Sequence, residues 1–265
     1  MSQINQEATQ EQELSAEREA RAIVYNFLSS LFAKEVTSDL VKQLTSAQGQ
    51  RFLSSLSLEP SLSSSINEIN AKLGTLNSKE SLLELAADFC GLFLVDGRTS
   101  VSPYAGQYLS ACSSDEPSGE QNNAASNEAG GKSKKNKIQI FGELHQQMTE
   151  FLTDNKLQIH SDFPEPGDHI AVILAYIAHL CVTSESEQQL NFINRYLMTW
   201  LSNFTQQVNK HDHGLFYCFV ADLTLEWLKV DTEFLLNDQR MNSLLKHLYP
   251  FHLKMLMHSL ITPSM

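Results

Sequence analysis

The 265-residue chain carries 19 Lys and Arg against 31 Asp and Glu, a formal net charge of -12, and a surface of that sign repels the phosphate backbone that a nucleic-acid binder must collect. Its hydrophobic fraction of 42%, with 11 glycines and 7 prolines, excludes collagen-like and disordered classes. The length suits one large core or two smaller ones.

The opening segment "MSQINQEATQEQELSAERE" is polar and acidic and lacks the basic and apolar regions of a signal peptide, which predicts a chain that stays in the cytoplasm. After Leu14, Val24, Leu28 and Leu31 recur at i, i+4, i+7. Tyr25, Leu28 and Phe32 make a second, overlapping row, so a helix with a broad buried face is predicted. A second helix is predicted to open at Ser38. "SLSLEPSLSSSINEINAKLG" reads as a turn at Pro60 followed by a short helix ending at Gly74. A further helix is predicted from Asn77, where Asn-x-x-Glu80 resembles a capping box ahead of Leu82, Leu85, Ala86, Phe89 and Phe93, with Gly97 placed to stop it.

Residues 113–137, "SSDEPSGEQNNAASNEAGGKSKKNK", are almost devoid of large apolar side chains, cannot offset their ordering entropy by burial, and are expected to form a flexible linker. Helical spacing resumes with Phe141, Leu144, Met148 and Phe151, then with the run after Pro166. It continues through Leu190, Ile193, Leu197, Leu201, Phe204 and Val208, and then Phe216, Val220, Leu223, Trp227 and Val230. Pro250 interrupts the last helical stretch. No segment alternates as a strand does. The expected architecture is all-α: two helical domains, 1–112 and 138–265, joined by the tether. A tether of that length lets one half dock on its own partner half or on that of a second chain, giving a domain-swapped homodimer.

Cys90, Cys112, Cys181 and Cys218 lie far apart with no C-x-x-C spacing, so reduced thiols and no cofactor or metal are expected. The longest apolar stretch, Ile170 to Val182, falls short of the roughly 20 residues that span a bilayer. It reads as a buried helix. "GGKSKK" at 130–135 contains the end of a phosphate-binding loop, but Ser126 stands where the pattern needs glycine. "HDHG" at 211–214 sets two imidazoles at i, i+2, which diverge on a helix, and reads as a turn.

"FPEPGDH" is the most informative segment. Pro166 suits the first turn of a helix, and Glu165 and Asp168 then sit beside the positive end of its dipole. That leaves His169 unexplained, since the dipole disfavours its protonated form. Adjacent Asp168 and His169 invite a hydrolase or nucleotide-dependent switch, yet no nucleophile motif accompanies them. In "TSVSPYAGQYL", Pro103 and Tyr104 occupy a loop after the Phe89 to Phe93 helix, where an aromatic ring with a polar tip suits a surface both apolar and wet.

"REARAIVYNFLSSLF", "ADFCGLFLVDGRTSVSPYAGQY" and "FPEPGDHIAVILAYIAHL" together resemble the TorD family of chaperones, also called redox enzyme maturation proteins. The likeness spans nearly the whole chain. The Glu-Pro-x-Asp-His element is matched by Glu165, Pro166, Asp168 and His169, and the Ser-Pro-Tyr element by Ser102, Pro103 and Tyr104. The resemblance implies a cytoplasmic chaperone, not an enzyme, that binds the twin-arginine leader and apoprotein of a molybdoenzyme until its molybdenum cofactor is inserted. The linker-split, acidic build is similar to the branch that serves trimethylamine N-oxide reductase, and some relatives are reported to bind guanine nucleotides weakly. A twin-arginine leader joins two guanidinium groups to an apolar segment. The expected receptor surface therefore sets Glu165 and Asp168 against the arginines, with Leu92, Phe93 and Tyr104 covering the apolar part.

Overall fold

A computed structural model describes residues 2–112, 143–159, 161 and 163–236. These residues form eleven α-helices and one π-helical turn, with no strand among them. The first six helices are α1 (Ser2–Ala33), α2 (Ser38–Thr45), α3 (Ala47–Leu56), α4 (Pro60–Thr75), α5 (Lys79–Phe89) and, after the π-turn Cys90–Leu94, α6 (Gly106–Cys112). The remaining five are α7 (Glu143–Asp154), α8 (Ile170–Thr183), α9 (Ser186–Tyr196), α10 (Met198–His211) and α11 (Tyr217–Leu236). The expected linker at 113–137, the Gly-Lys-Ser motif within it and the stretch around Pro250 lie outside the described residues.

Local chemistry sets the helix boundaries, and in three places moves them from where the pattern predicted. The capping box of α5 uses Ser78, not Asn77: its hydroxyl accepts from the Ser81 N–H at 3.1 Å while the Ser81 hydroxyl accepts from the Ser78 N–H at 3.3 Å. The short helix expected to end at Gly74 instead runs a full sixteen residues from Pro60, which sits in its first turn where a missing N–H costs nothing. Leu190 to Val208 is not one helix, because Leu197 leaves helical geometry (φ -126°, ψ -50°) and separates α9 from α10.

Helix α8 is apolar on nearly all sides, with every residue from Ile170 to Cys181 buried except Ala175 and His179. Such a helix is stable only when neighbours cover it all round. Helix α1 runs along it and α9 flanks it, while α11 packs on both α4 and α10. Helices from either side of residues 113–142 therefore share one buried core. Its aromatic centre mixes the two stretches: Phe93 contacts Phe32 and Phe89 from the first, Phe204 and Tyr217 from the second.

One polar cluster crosses this core. Arg21 of α1 donates through Nε to Asp231 Oδ1 at 2.5 Å and through Nη2 to Asp231 Oδ2 at 3.0 Å and Gln189 Oε1 at 2.7 Å. Tyr25 donates its hydroxyl to Asp231 Oδ2 at 2.7 Å. Arg21, Gln189 and Asp231 are all buried. Burial works against the charged guanidinium, yet the adjoining Asp231 carboxylate more than offsets it and leaves the Arg21 pKa raised. Removing one member strands the other charge in an apolar interior. Arg21→Met is expected to lower unfolding stability by about 3 to 5 kcal/mol, and Arg21→Met/Asp231→Leu to regain most of it. Urea denaturation measures both; a single-variant loss below about 1 kcal/mol would mean that the pair behaves as an exposed one.

Candidate functional site

The two sequence elements singled out above meet. The loop Val101 to Ala105 lies against the segment Phe163 to His169 through a short antiparallel pairing of Tyr104 with His169. The Ala105 N–H donates to the Asp168 carbonyl at 3.0 Å and the Ile170 N–H to the Pro103 carbonyl at 2.9 Å. Residues sixty-odd positions apart are thus joined by backbone hydrogen bonds. The loop is in turn tied to the π-turn, since the Val101 N–H donates to the Leu92 carbonyl at 2.7 Å.

Each motif side chain has a definite place. Asp168 is 1% exposed, and its Oδ2 accepts from the Gly106 N–H at 3.2 Å, while Oδ1 has no hydrogen-bond partner among the described residues. Burial raises the Asp168 pKa, against the Gly106 bond and the His145 charge that lower it. Helix α8 starts at Ile170, four residues beyond where Pro166 alone would put it, and its N-cap is His169, whose Nδ1 accepts from the Ala171 N–H at 3.1 Å. This accounts for the histidine that the dipole left unexplained: a neutral imidazole is a good acceptor at the positive end of a helix. Edge contacts from Tyr104 and Phe163, with ring centroids 5.3 and 5.2 Å away, enclose it, and burial pulls its pKa from 6.5 down to about 4. His145 of α7 supports the turn by accepting from the Gly167 N–H at 2.9 Å.

The surface side of the junction belongs to other residues. Tyr104 donates its hydroxyl to Glu165 Oε2 at 2.5 Å, and both residues, with Ser102 and Pro166, are partly exposed, whereas Pro103 is buried. Leu92 and Phe93 do not cover a surface groove: they are 4% and 7% exposed and belong to the core. The π-turn rotates the next residues outward, leaving Leu94 and Val95 58% and 51% exposed. Helical periodicity does not reveal such a residue, because one widened turn shifts every later position around the axis. Asp168 and His169 are adjacent and buried, each with one side-chain atom bonded to a backbone N–H and no hydrogen bond between them, so they offer no nucleophile–base pair.

The buried imidazole carries a pH dependence. A folded-state pKa below the unfolded 6.5 means that the unfolded chain binds the extra proton, so His169 removes stability as pH falls from about 6.5 to about 4, by at most about 1.4 kcal/mol per pH unit. Asp168, raised rather than lowered, acts in the opposite sense at the acidic end. His169→Asn keeps a cap acceptor and removes the titration. Its unfolding free energy is expected to change less than the wild type's between pH 7 and pH 4.5, and parallel profiles would assign the slope elsewhere.

Residues 55–206 match the family described as nitrate reductase delta subunit. The chain is 84% identical over 238 residues to the chaperone protein TorD of Colwellia psychrerythraea, covering 90% of this chain and 100% of that one. It is 46% identical to the chaperone protein TorD of Shewanella piezotolerans over 83% of this chain and 94% of the relative. The corresponding protein of Shewanella amazonensis is 35% identical over 81% and 92%. The chain belongs to the TorD family of chaperones.

Proposed function

We propose that this chaperone binds the twin-arginine leader and the apoprotein of a molybdoenzyme, trimethylamine N-oxide reductase, in the cytoplasm, and holds it until its molybdenum cofactor is inserted. The observation that carries the reading is Glu165. Its carboxylate stands partly exposed on a turn braced by backbone bonds, with Oε2 taken by Tyr104 and Oε1 accepting no hydrogen bond among the described residues. A preformed, half-satisfied carboxylate suits a guanidinium donor. Tyr104 is held in turn by Ser102, whose hydroxyl accepts from the Tyr104 N–H, and in this reading the exposed Leu94 and Val95 supply the apolar surface. In this reading Asp168, His169, Pro103, Leu92 and Phe93 shape the site from beneath. No helix among the described residues is long and apolar enough to cross a membrane, which is compatible with a chaperone that meets its client before export.

The alternative of a hydrolase or nucleotide switch built on Asp168 and His169 gains no support, since both are buried, His169 Nδ1 caps α8 and no nucleophile is placed beside them. Dimerisation by exchange of the halves 1–112 and 138–265 remains part of the proposal. The buried faces of α1 and α8 cover one another, and the same faces from two chains would do so equally well.

Calorimetry with a synthetic twin-arginine leader tests the reading. Glu165→Gln is expected to weaken binding about fivefold at low salt, near 1 kcal/mol for a partly exposed charged contact, and less at high salt. Asp168→Ala is expected chiefly to lower the melting temperature. Wild-type affinity in Glu165→Gln and Tyr104→Phe together would remove the junction from the binding surface. For the exchange, light scattering over a rising protein concentration is expected to show a dimer, and monomer throughout would reject it.

A further inference from the structure

A second acidic feature lies away from the junction. A cavity of about 450 Å³ is bounded by the end of α4, by α5 and by the turn between α10 and α11; Lys72, Leu76, Glu84, Leu85, Asp88 and His213 line it. Its volume falls within the range of roughly 300 to 1,000 Å³ usual for ligand sites.

The charges around it are unevenly spent. Lys72 donates to the Gly214 carbonyl at 2.6 Å. Asp212 accepts from three backbone N–H groups that open α11, those of Gly214, Phe216 and Cys218, at 3.1, 2.9 and 2.7 Å. Asp88 and Glu84, by contrast, take part in no hydrogen bond or ion pair among the described residues. Asp88 lies directly over Gly214: a Cβ there would stand 1.9 Å from Asp88 Oδ2. The absence of a side chain at 214 is what lets the carboxylate occupy this position. Burial first, and then repulsion from Asp212 and Glu84 against the pull of Lys72 and His213, raises the Asp88 pKa.

Apolar surface flanks the acids. Leu83 and Ala87 repeat the i, i+4 spacing of Glu84 and Asp88 one residue earlier on α5, so an exposed apolar row runs beside the acidic one. Leu83 is 59% exposed, and Leu215, held with φ at 53° next to the cavity-lining Gly214, is 57% exposed. No group of three or more His, Cys, Asp or Glu among the described residues is arranged to hold a metal ion. The complementary ligand is an organic cation with apolar neighbours.

We infer that this cavity seats an arginine side chain of a bound peptide, its guanidinium on Asp88 and Glu84 and the apolar residues next to it along Leu83 and Leu215. A planar guanidinium can meet a carboxylate through two donors and, being weakly hydrated, sits beside apolar surface more readily than a compact ammonium does. The inference rests on the peptide-binding reading and adds to it a second contact, on α5, distinct from Glu165.

The probe is a fluorescent synthetic peptide with two consecutive arginines ahead of an apolar segment, titrated by anisotropy into the full-length protein. Glu84→Gln/Asp88→Asn is expected to weaken binding about tenfold, near 1.4 kcal/mol, and replacing the arginines by lysines to weaken wild-type binding while costing the double variant much less. Gly214→Ala, whose φ permits a side chain, displaces only the flexible end of Asp88. It should lose severalfold in affinity with an unchanged melting temperature. If wild type binds the peptide and both variants match it within about twofold, the cavity is not the arginine seat, although the chaperone reading stands. If wild type itself does not bind the peptide, the peptide-binding reading and this inference fall together.

Discussion

The fold depends on the buried contact between Arg21 and Asp231. Arg21 of α1 and Asp231 of α11 stand 210 residues apart in sequence, and apolar packing alone would tolerate a slide of these helices by a turn, since leucine and phenylalanine rows interdigitate at several registers. A guanidinium that must meet one carboxylate through two donors, a glutamine through a third, and share that carboxylate with Tyr25 has a single solution. Such a pair contributes less to stability than its short distances suggest, because desolvation opposes it. Its effect is on register: misplacement by one turn would leave two charges and an amide unpaired in a dry interior.

Register matters because the candidate site is assembled from both ends of the chain. Helix α1 lies along α8, and Ser29 of α1 donates its hydroxyl to the Ala171 carbonyl at 2.8 Å, in the first turn of the helix that His169 caps. The position of α8 fixes His169. The backbone pairing between His169 and Tyr104 then fixes the Ser-Pro-Tyr loop, and the loop fixes Glu165 through the Tyr104 hydroxyl. Each step uses bonds that are buried or backed by buried groups, so Glu165 reaches the surface with its direction already set. A carboxylate held in this way loses little further freedom when it meets a donor, which is the condition for useful affinity from a single exposed charge.

Much of this was legible in the sequence, for reasons that can be named residue by residue. The rows of Val24, Leu28 and Leu31, and of Tyr25 and Phe32, announce a buried helix face because burial and the 3.6-residue period leave no other arrangement. The all-helical class follows from the same logic. What periodicity does not encode is the exception to itself. The π-turn at Cys90–Leu94 sends Phe93 inward and Leu94 outward, and nothing in "CGLFLVDG" distinguishes it from a continuing helix. Likewise "FPEPGDH" looks like a helix opening at Pro166, whereas a turn closed by the His169 N–H on the Pro166 carbonyl delays the helix to Ile170. The acidic residues of that segment are plain in the sequence, but which of them faces outward depends on a contact with Gly106, sixty-two residues earlier. Glu84 and Asp88 of α5 look like any solvated face of an amphipathic helix until Gly214 and the end of α4 are brought over them.

The two acidic features differ in how the protein restrains their charge, and that difference bears on how a basic, apolar peptide is discriminated from a merely basic one. Glu165 is half-satisfied by a neutral hydroxyl and open to water, so its attraction is screened and tolerant of any cation. Asp88 is crowded by Asp212 and Glu84 with only Lys72 and His213 in opposition, and lies between apolar walls. There a cation relieves repulsion that is present before it arrives, and its apolar neighbours are needed to close off the solvent. Lysine-rich or polar peptides would meet the first condition without the second. A surface with one permissive and one demanding acid therefore selects on the combination of charge and apolarity, although neither carboxylate alone is specific for it.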